Sequence, residues 1–103
     1  MQQSQAEITQ QSKQQYRVSG TVDFSTVPDL MRKMTEFFET SDADINIDLS
    51  EVTSSNSAAL ALLLEMVRQA RSKNIELHFR HLPDTMLSIA KAYGIDSDIR
   101  EFT

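Results

Sequence analysis

The sequence has no cysteine and only two glycines among 103 residues. Without cysteine, a disulfide scaffold, a thiolate zinc site and a cysteine nucleophile are all excluded. So few glycines leave little material for loops that cradle phosphate. The pattern G-x-x-x-x-G-K-[ST] is missing, which excludes nucleotide hydrolysis by that route. The nucleophile elbow G-x-S-x-G is missing as well, which disfavours a small hydrolase. Long apolar runs are lacking: the longest, Ala58 to Leu64, has seven residues, against the roughly 20 a spanning helix needs. The start shows no basic segment followed by an apolar one, so no secretory signal is read and the expected location is the cytoplasm. Nor is there a basic stripe. Ten Lys and Arg are scattered among 15 Asp and Glu, for a net charge of −5. That balance argues against a nucleic-acid partner and against anionic lipid headgroups as direct ligands.

What is present suits one packed domain. Apolar residues make up 40% of the chain, enough for an interior at this length. Residues 1–5 are read as a frayed N-terminus and 6–103 as the domain. Gln recurs at 2, 3, 5, 10, 11, 14 and 15, yet Ala6, Ile8, Tyr16 and Val18 keep the even spacing of half-buried strands. Strands are predicted over residues 7–10 and 15–19, with a turn near Ser12 and Lys13 and a break at Gly20. A helix is predicted from Thr26 or Val27, with Thr26 as cap, Pro28 in the first turn and Asp29 completing a capping-box-like spacing. Val27, Met31, Met34 and Phe38 share its apolar face. Ser41, Asp42 and Asp44 close that segment. Residues 45–49 read as a strand covered on both faces, and residues 50–56 as a polar loop. A second helix is predicted over 57–73, capped by Asn56 or Ser57 and stopped at Asn74. A strand over 75–79 and a helix from Pro83 or Asp84 to Tyr93, stopped by Gly94, follow. Ile95, Ile99 and Phe102 form a tail that returns to the core. Strands alternating with helices imply an α/β fold: a mixed, mostly parallel sheet of about four to five strands, with about three to four helices mainly on one face.

From Asp48 onward the string IDLSEVTSSNSAALALLLEMVRQARSKNIELHF resembles the core of STAS domains, the sulfate-transporter and anti-sigma-factor-antagonist family. The matching segments are Asp48–Leu49–Ser50, Asn56–Ser57–Ala58–Ala59 and the leucine-rich helix that follows. Gly20–Thr21–Val22–Asp23 matches the family's segment before its first helix. Leu60–Ala61–Leu62–Leu63–Leu64 and Leu87–Ser88–Ile89–Ala90–Lys91–Ala92–Tyr93 are similar to the MlaB branch in particular. That resemblance implies a STAS-type fold and a non-catalytic accessory subunit, without cofactor or metal. Its partner would be the MlaF-like ATPase of a Gram-negative ABC transporter for phospholipid trafficking and lipid asymmetry, with the permease contacted indirectly. It implies a cytoplasmic position, peripheral to the inner membrane through the complex. Two departures stand out. The family's Asp before the turn is Asn56, and the residue that a kinase phosphorylates in the anti-sigma-antagonist branch falls on Ala58, which has no hydroxyl. Ser57 matches the hydroxyl residue that meets the ATPase in the MlaB branch.

The residues themselves point to the same place. Ser54, Ser55, Asn56, Ser57 and Ala58 form a small, polar helix start that lets another molecule approach closely and leaves N–H groups free. The bland alternative is a cap worth about 1 kcal/mol. On the helical projection Leu60, Leu63, Leu64 and Val67 make the core stripe, while Leu62 and Glu65 lie opposite. An exposed Leu62 beside the helix start would anchor an interface. The candidate partner surface is therefore Ser54, Ser55, Asn56, Ser57, Ala58, Leu62 and Glu65. His78 and His81 are read as solvated edge residues rather than metal ligands, neither having an evident acidic partner in the sequence. The competing reading is a free regulatory STAS protein that binds an anti-sigma factor or kinase. Self-association stays open, because the Gln-rich start is placed as an edge strand.

Overall fold

Even-spaced apolar residues build a four-stranded sheet in which β1 (Ala6–Ser12), β2 (Gln15–Val22), β3 (Ile45–Ser55) and β4 (Leu77–Arg80) stand in chain order. The computed structural model describes residues 6–41 and 44–103; residues 1–5, read from the sequence as frayed, and Asp42 lie outside them. β1 and β2 are antiparallel, with Ile8 opposite Val18. β3 runs parallel to β2, and β4 parallel to β3, with Ile47 opposite both Tyr16 and Phe79. Tyr16, Val18, Val22, Ile45, Ile47, Leu49, Leu77 and Phe79 are buried on one face. The alternating residues Arg17, Asn46, Asp48 and His78 lie half-exposed on the other, as period 2 requires. Burial by helices is thus confined to one face. β3, expected to be covered on both, is covered on one, because Asn46 and Asp48 supply a polar side that water can solvate.

Among the described residues four helices cover the apolar face: α1 (Val27–Thr40), α2 (Ser57–Lys73), α3 (Asp84–Ala92) and α4 (Asp96–Arg100). Met34 and Phe38 of α1, Leu63 and Met66 of α2, Met86 of α3 and Ile99 of α4 join the strand residues in one core. Each such side chain stabilises the fold by about 1.5–3 kcal/mol of transfer free energy. The tail does return to the core, through a short helix that the sequence reading leaves out.

Two boundaries move relative to expectation. β3 continues to Ser55 through the stretch read as a loop, since Glu51, Val52, Ser54 and Ser55 pair with Ser19, Gly20, Thr21 and Val22. Ladder pairing outweighs the poor intrinsic strand preference of Glu51 and the serines. Gly20 does not end β2. Its φ of 90° falls where the register with β3 shifts, a bulge that only a residue without Cβ adopts cheaply. Thr26 is the N-cap residue of α1, as expected, but its side chain makes no cap hydrogen bond to the helix and turns back to Asp23 instead. Asp23 Oδ1 accepts from the Thr26 N–H at 3.2 Å while Thr26 Oγ1 accepts from the Asp23 N–H at 2.9 Å. That is a reciprocal box between Asp23 and Thr26, with Asp29 outside it.

α2 keeps its predicted bounds because both ends are capped. Asn56 Oδ1 accepts from the Ala58 N–H at 2.8 Å. Asn74, at φ 56°, donates its N–H to Ala70 and Arg71 carbonyls, the left-handed stop that asparagine tolerates. At the outer side of β4, the Phe79 N–H donates to the Phe102 carbonyl at 2.7 Å. Phe102 is held there by the Phe79 ring, centroids 6.5 Å apart, and by the Arg71 guanidinium 5.3 Å from its own centroid.

Candidate functional site

Parallel strands deliver their following loops to one edge of a sheet, the edge where α/β folds place binding surfaces. Here β2, β3 and β4 carry the chain into residues 23–26, the Ser55–Ser57 junction and residues 81–85 respectively. Because the strands are neighbours, the three segments form one continuous rim. The Asn56 N–H donates to the Val22 carbonyl at 3.3 Å, tying the first segment to the second. Ser55 Oγ and Thr85 Oγ1 lie 3.4 Å apart, tying the second to the third.

The rim is small, polar and rigid in its centre. Ser54 is exposed, and Ser55, Asn56 and Ser57 are half-buried. The Asp23 carboxylate accepts from the Ser25 hydroxyl at 2.6 Å and from the Ser25 N–H at 2.9 Å, besides the Thr26 N–H. The Ser25 bonds above all hold its carboxyl below the usual range. Thr26 Oγ1 also donates to the Thr21 carbonyl at 2.9 Å. Between these fixed points stands Phe24, 72% exposed. The sequence analysis gives Phe24 no role. Strand alternation would place it inward with Val22; the turn at Asp23 ends the alternation and sends it outward. The signal available is an aromatic inside a polar D-F-S-T turn, which neither the strand period nor the helix period requires.

Of the seven residues read as the partner surface, Ser54, Ser55, Asn56 and Ser57 lie together on this rim, and three lie elsewhere. Leu62 is 2% exposed, a core residue and not an exposed anchor. Ala58 is buried as well. The reason is that α2 lies between α1 and α3, so neighbours on both sides widen its buried arc. Glu65 is half-buried and already engaged. It accepts from Arg68 Nε at 2.9 Å and from Gln69 Nε2 at 3.0 Å, and Gln69 in turn donates to Thr35 Oγ1 of α1 at 2.9 Å. The Arg68 and Gln69 bonds lower the Glu65 carboxyl to about 2. The strip of α2 left to solvent runs through Ala61, Leu64 and Arg68, with half-buried Ser57 at its head. Leu64, placed by the projection in the core, is 38% exposed.

The open sheet face carries a second polar group. His81 Nδ1 lies 3.1 Å from Asp48 Oδ1, and Arg17 Nε lies 3.5 Å from Asp48 Oδ2. Burial raises the Asp48 carboxyl, but hydrogen bonds from Ser50 and His81 more than offset this and leave it lowered. His78 Nε2 lies 3.1 Å from Glu76 Oε1. Each histidine therefore has the acidic partner that the sequence did not reveal. Among the described residues no serine hydroxyl is bonded to either ring, and no cluster of three or more metal-ligating side chains forms.

Comparison with known proteins agrees with this fold. The family described as "Mlab, STAS domain" matches residues 7–101. The chain belongs to the STAS domain family. Among solved structures, the anti-sigma factor antagonist SpoIIAA in its unphosphorylated form is similar, with a TM-score of 0.65 at 12% identity. The match covers 84% of this chain and 81% of that one, a likeness of fold. No curated protein sequence matches this STAS domain. STAS domains are generally accessory or regulatory and bind other proteins; no catalytic family is indicated. No helix among the described residues of this STAS domain is long and apolar enough to cross a membrane.

Proposed function

We propose that this STAS domain is a non-catalytic subunit that docks on the ATPase of an ABC transporter for phospholipids, and that it supports that ATPase's assembly and activity. The observation that carries the reading is the rim itself: Ser54, Ser55, Asn56 and Ser57, accessible and short, at the carboxyl ends of a rigid sheet. Short side chains allow backbone-close approach, and a preorganised surface loses little entropy on binding. The resemblance of the Leu60–Leu64 and Leu87–Tyr93 segments to the MlaB branch favours an MlaF-like ATPase as the occupant. Peripheral attachment to the inner membrane would follow from that partner.

The fold likeness to an anti-sigma factor antagonist favours one other reading, a free regulatory protein that binds an anti-sigma factor or kinase. Ala58, buried and without a hydroxyl, leaves no acceptor for a phosphate at the matching position. Co-expression with an MlaF-like ATPase and affinity capture tests the first reading. Wild type is expected to co-purify, and Ser57→Arg and Ser54→Arg are expected to be lost from the eluate with unchanged circular dichroism. Normal capture of both arginine variants, or no capture of wild type, overturns it.

A further inference from the structure

Phe24 exposes nearly three-quarters of its surface on a turn that is hydrogen-bonded at both ends. An aromatic ring in water gives up the transfer free energy its burial would supply. A mobile loop would let such a ring fold back. This one does not, because the Asp23–Thr26 box and the Thr26–Thr21 bond fix the backbone beneath it. The next residue of the turn, Ser25, is too short to cover it and is bonded to Asp23. Carboxylates stand at both ends of the rim: Asp23 beside the ring, and exposed Asp84 next to Thr85, which touches Ser55. The surface thus reads, from end to end, as a negative charge, a projecting aromatic, a row of hydroxyls and a second negative charge.

Resting on the docking reading above, we infer that Phe24 is the anchor of the interface, inserting into an apolar socket of the partner ATPase whose rim is basic opposite Asp23 and Asp84. Buried aromatics surrounded by contacts of little energy are the usual form of an interface hot spot. Carboxylates at the periphery set association rate and salt dependence more than affinity. The ring itself does not hold the domain together, so its removal separates binding from folding.

Titration of the purified domain with an MlaF-like ATPase by calorimetry tests this. Phe24→Ala is expected to weaken binding about thirtyfold without moving the melting temperature, and Phe24→Leu to recover most of the loss. Asp84→Asn is expected to flatten the fall in association rate as salt rises. Should Phe24→Ala bind like wild type while Ser57→Arg does not, the anchor is overturned and docking at the rim stands. If both bind like wild type, the docking reading falls with it. Unchanged salt dependence in Asp84→Asn removes the basic rim from the partner's description.

Discussion

Leu62 and Leu64 sit two positions apart on one helix, at 2% and 38% exposure. Truncation reads the difference directly. Leu62→Ala is expected to destabilise the domain by about 2–5 kcal/mol, a core leucine with a cavity left behind. Leu64→Ala, at a side chain already partly in water, is expected to cost only about 1 kcal/mol. Urea denaturation curves of the two variants check this; equal midpoints would mean that α2 is packed differently. Glu65 gives a second residue-scale test. Its carboxyl is lowered from 4.5 to about 2 by its bonds to Arg68 and Gln69. A lowered carboxyl contributes stability that is present above its unfolded value and lost as pH falls toward the folded one. Glu65→Gln is therefore expected to flatten the loss of stability between about pH 4.5 and about pH 2, and to leave the neutral-pH slope alone. Acid titrations followed by circular dichroism would show it. A steeper loss in the variant would contradict the Arg68 and Gln69 contacts.

At the scale of the element, local chemistry and neighbour effects separate cleanly. α2 has the bounds its sequence announces because Asn56 and Asn74 mark them with their own side chain and backbone preference. Asn56→Ala is expected to cost about 1 kcal/mol as a lost cap. Asn74→Gly should be nearly neutral, and Asn74→Val should cost about 1–2 kcal/mol, since a left-handed φ penalises a β-branched residue. Thermal melts of the three variants rank them; a neutral valine would mean that the stop is not left-handed. What was illegible depends on partners distant in sequence. The strand character of residues 50–55 comes from β2, and no property of serine or glutamate foretells it. The Asp48–His81 contact spans 33 positions and forms only when β3 and β4 are adjacent. Leu62 looks exposed on a projection that imagines a single apolar stripe, and is buried because two helices flank it. The serines of the rim were legible, for they stand at the seam between a strand period and a helix period. Phe24 was not, because its direction is set by a turn and not by a period.

At the scale of the whole molecule, the sheet divides labour between its two faces and its edges. One face holds the helices, the other keeps Arg17, Asp48 and His81 in contact with water, and the carboxyl edge is given over to short side chains and one projecting ring. Strand β4 ends the sheet, and its main chain does not face water alone: the Phe102 carbonyl takes the Phe79 N–H, and the ring beneath it is clamped by Arg71. Phe102, with Arg71 against its ring, thus covers this edge of the sheet. Trimming the protein before Phe102 would uncover a hydrogen-bonding strand and its apolar flank together, the combination from which intermolecular β-pairing starts. Such a shortened protein is expected to scatter light increasingly with concentration while the protein that keeps Phe102 stays clear.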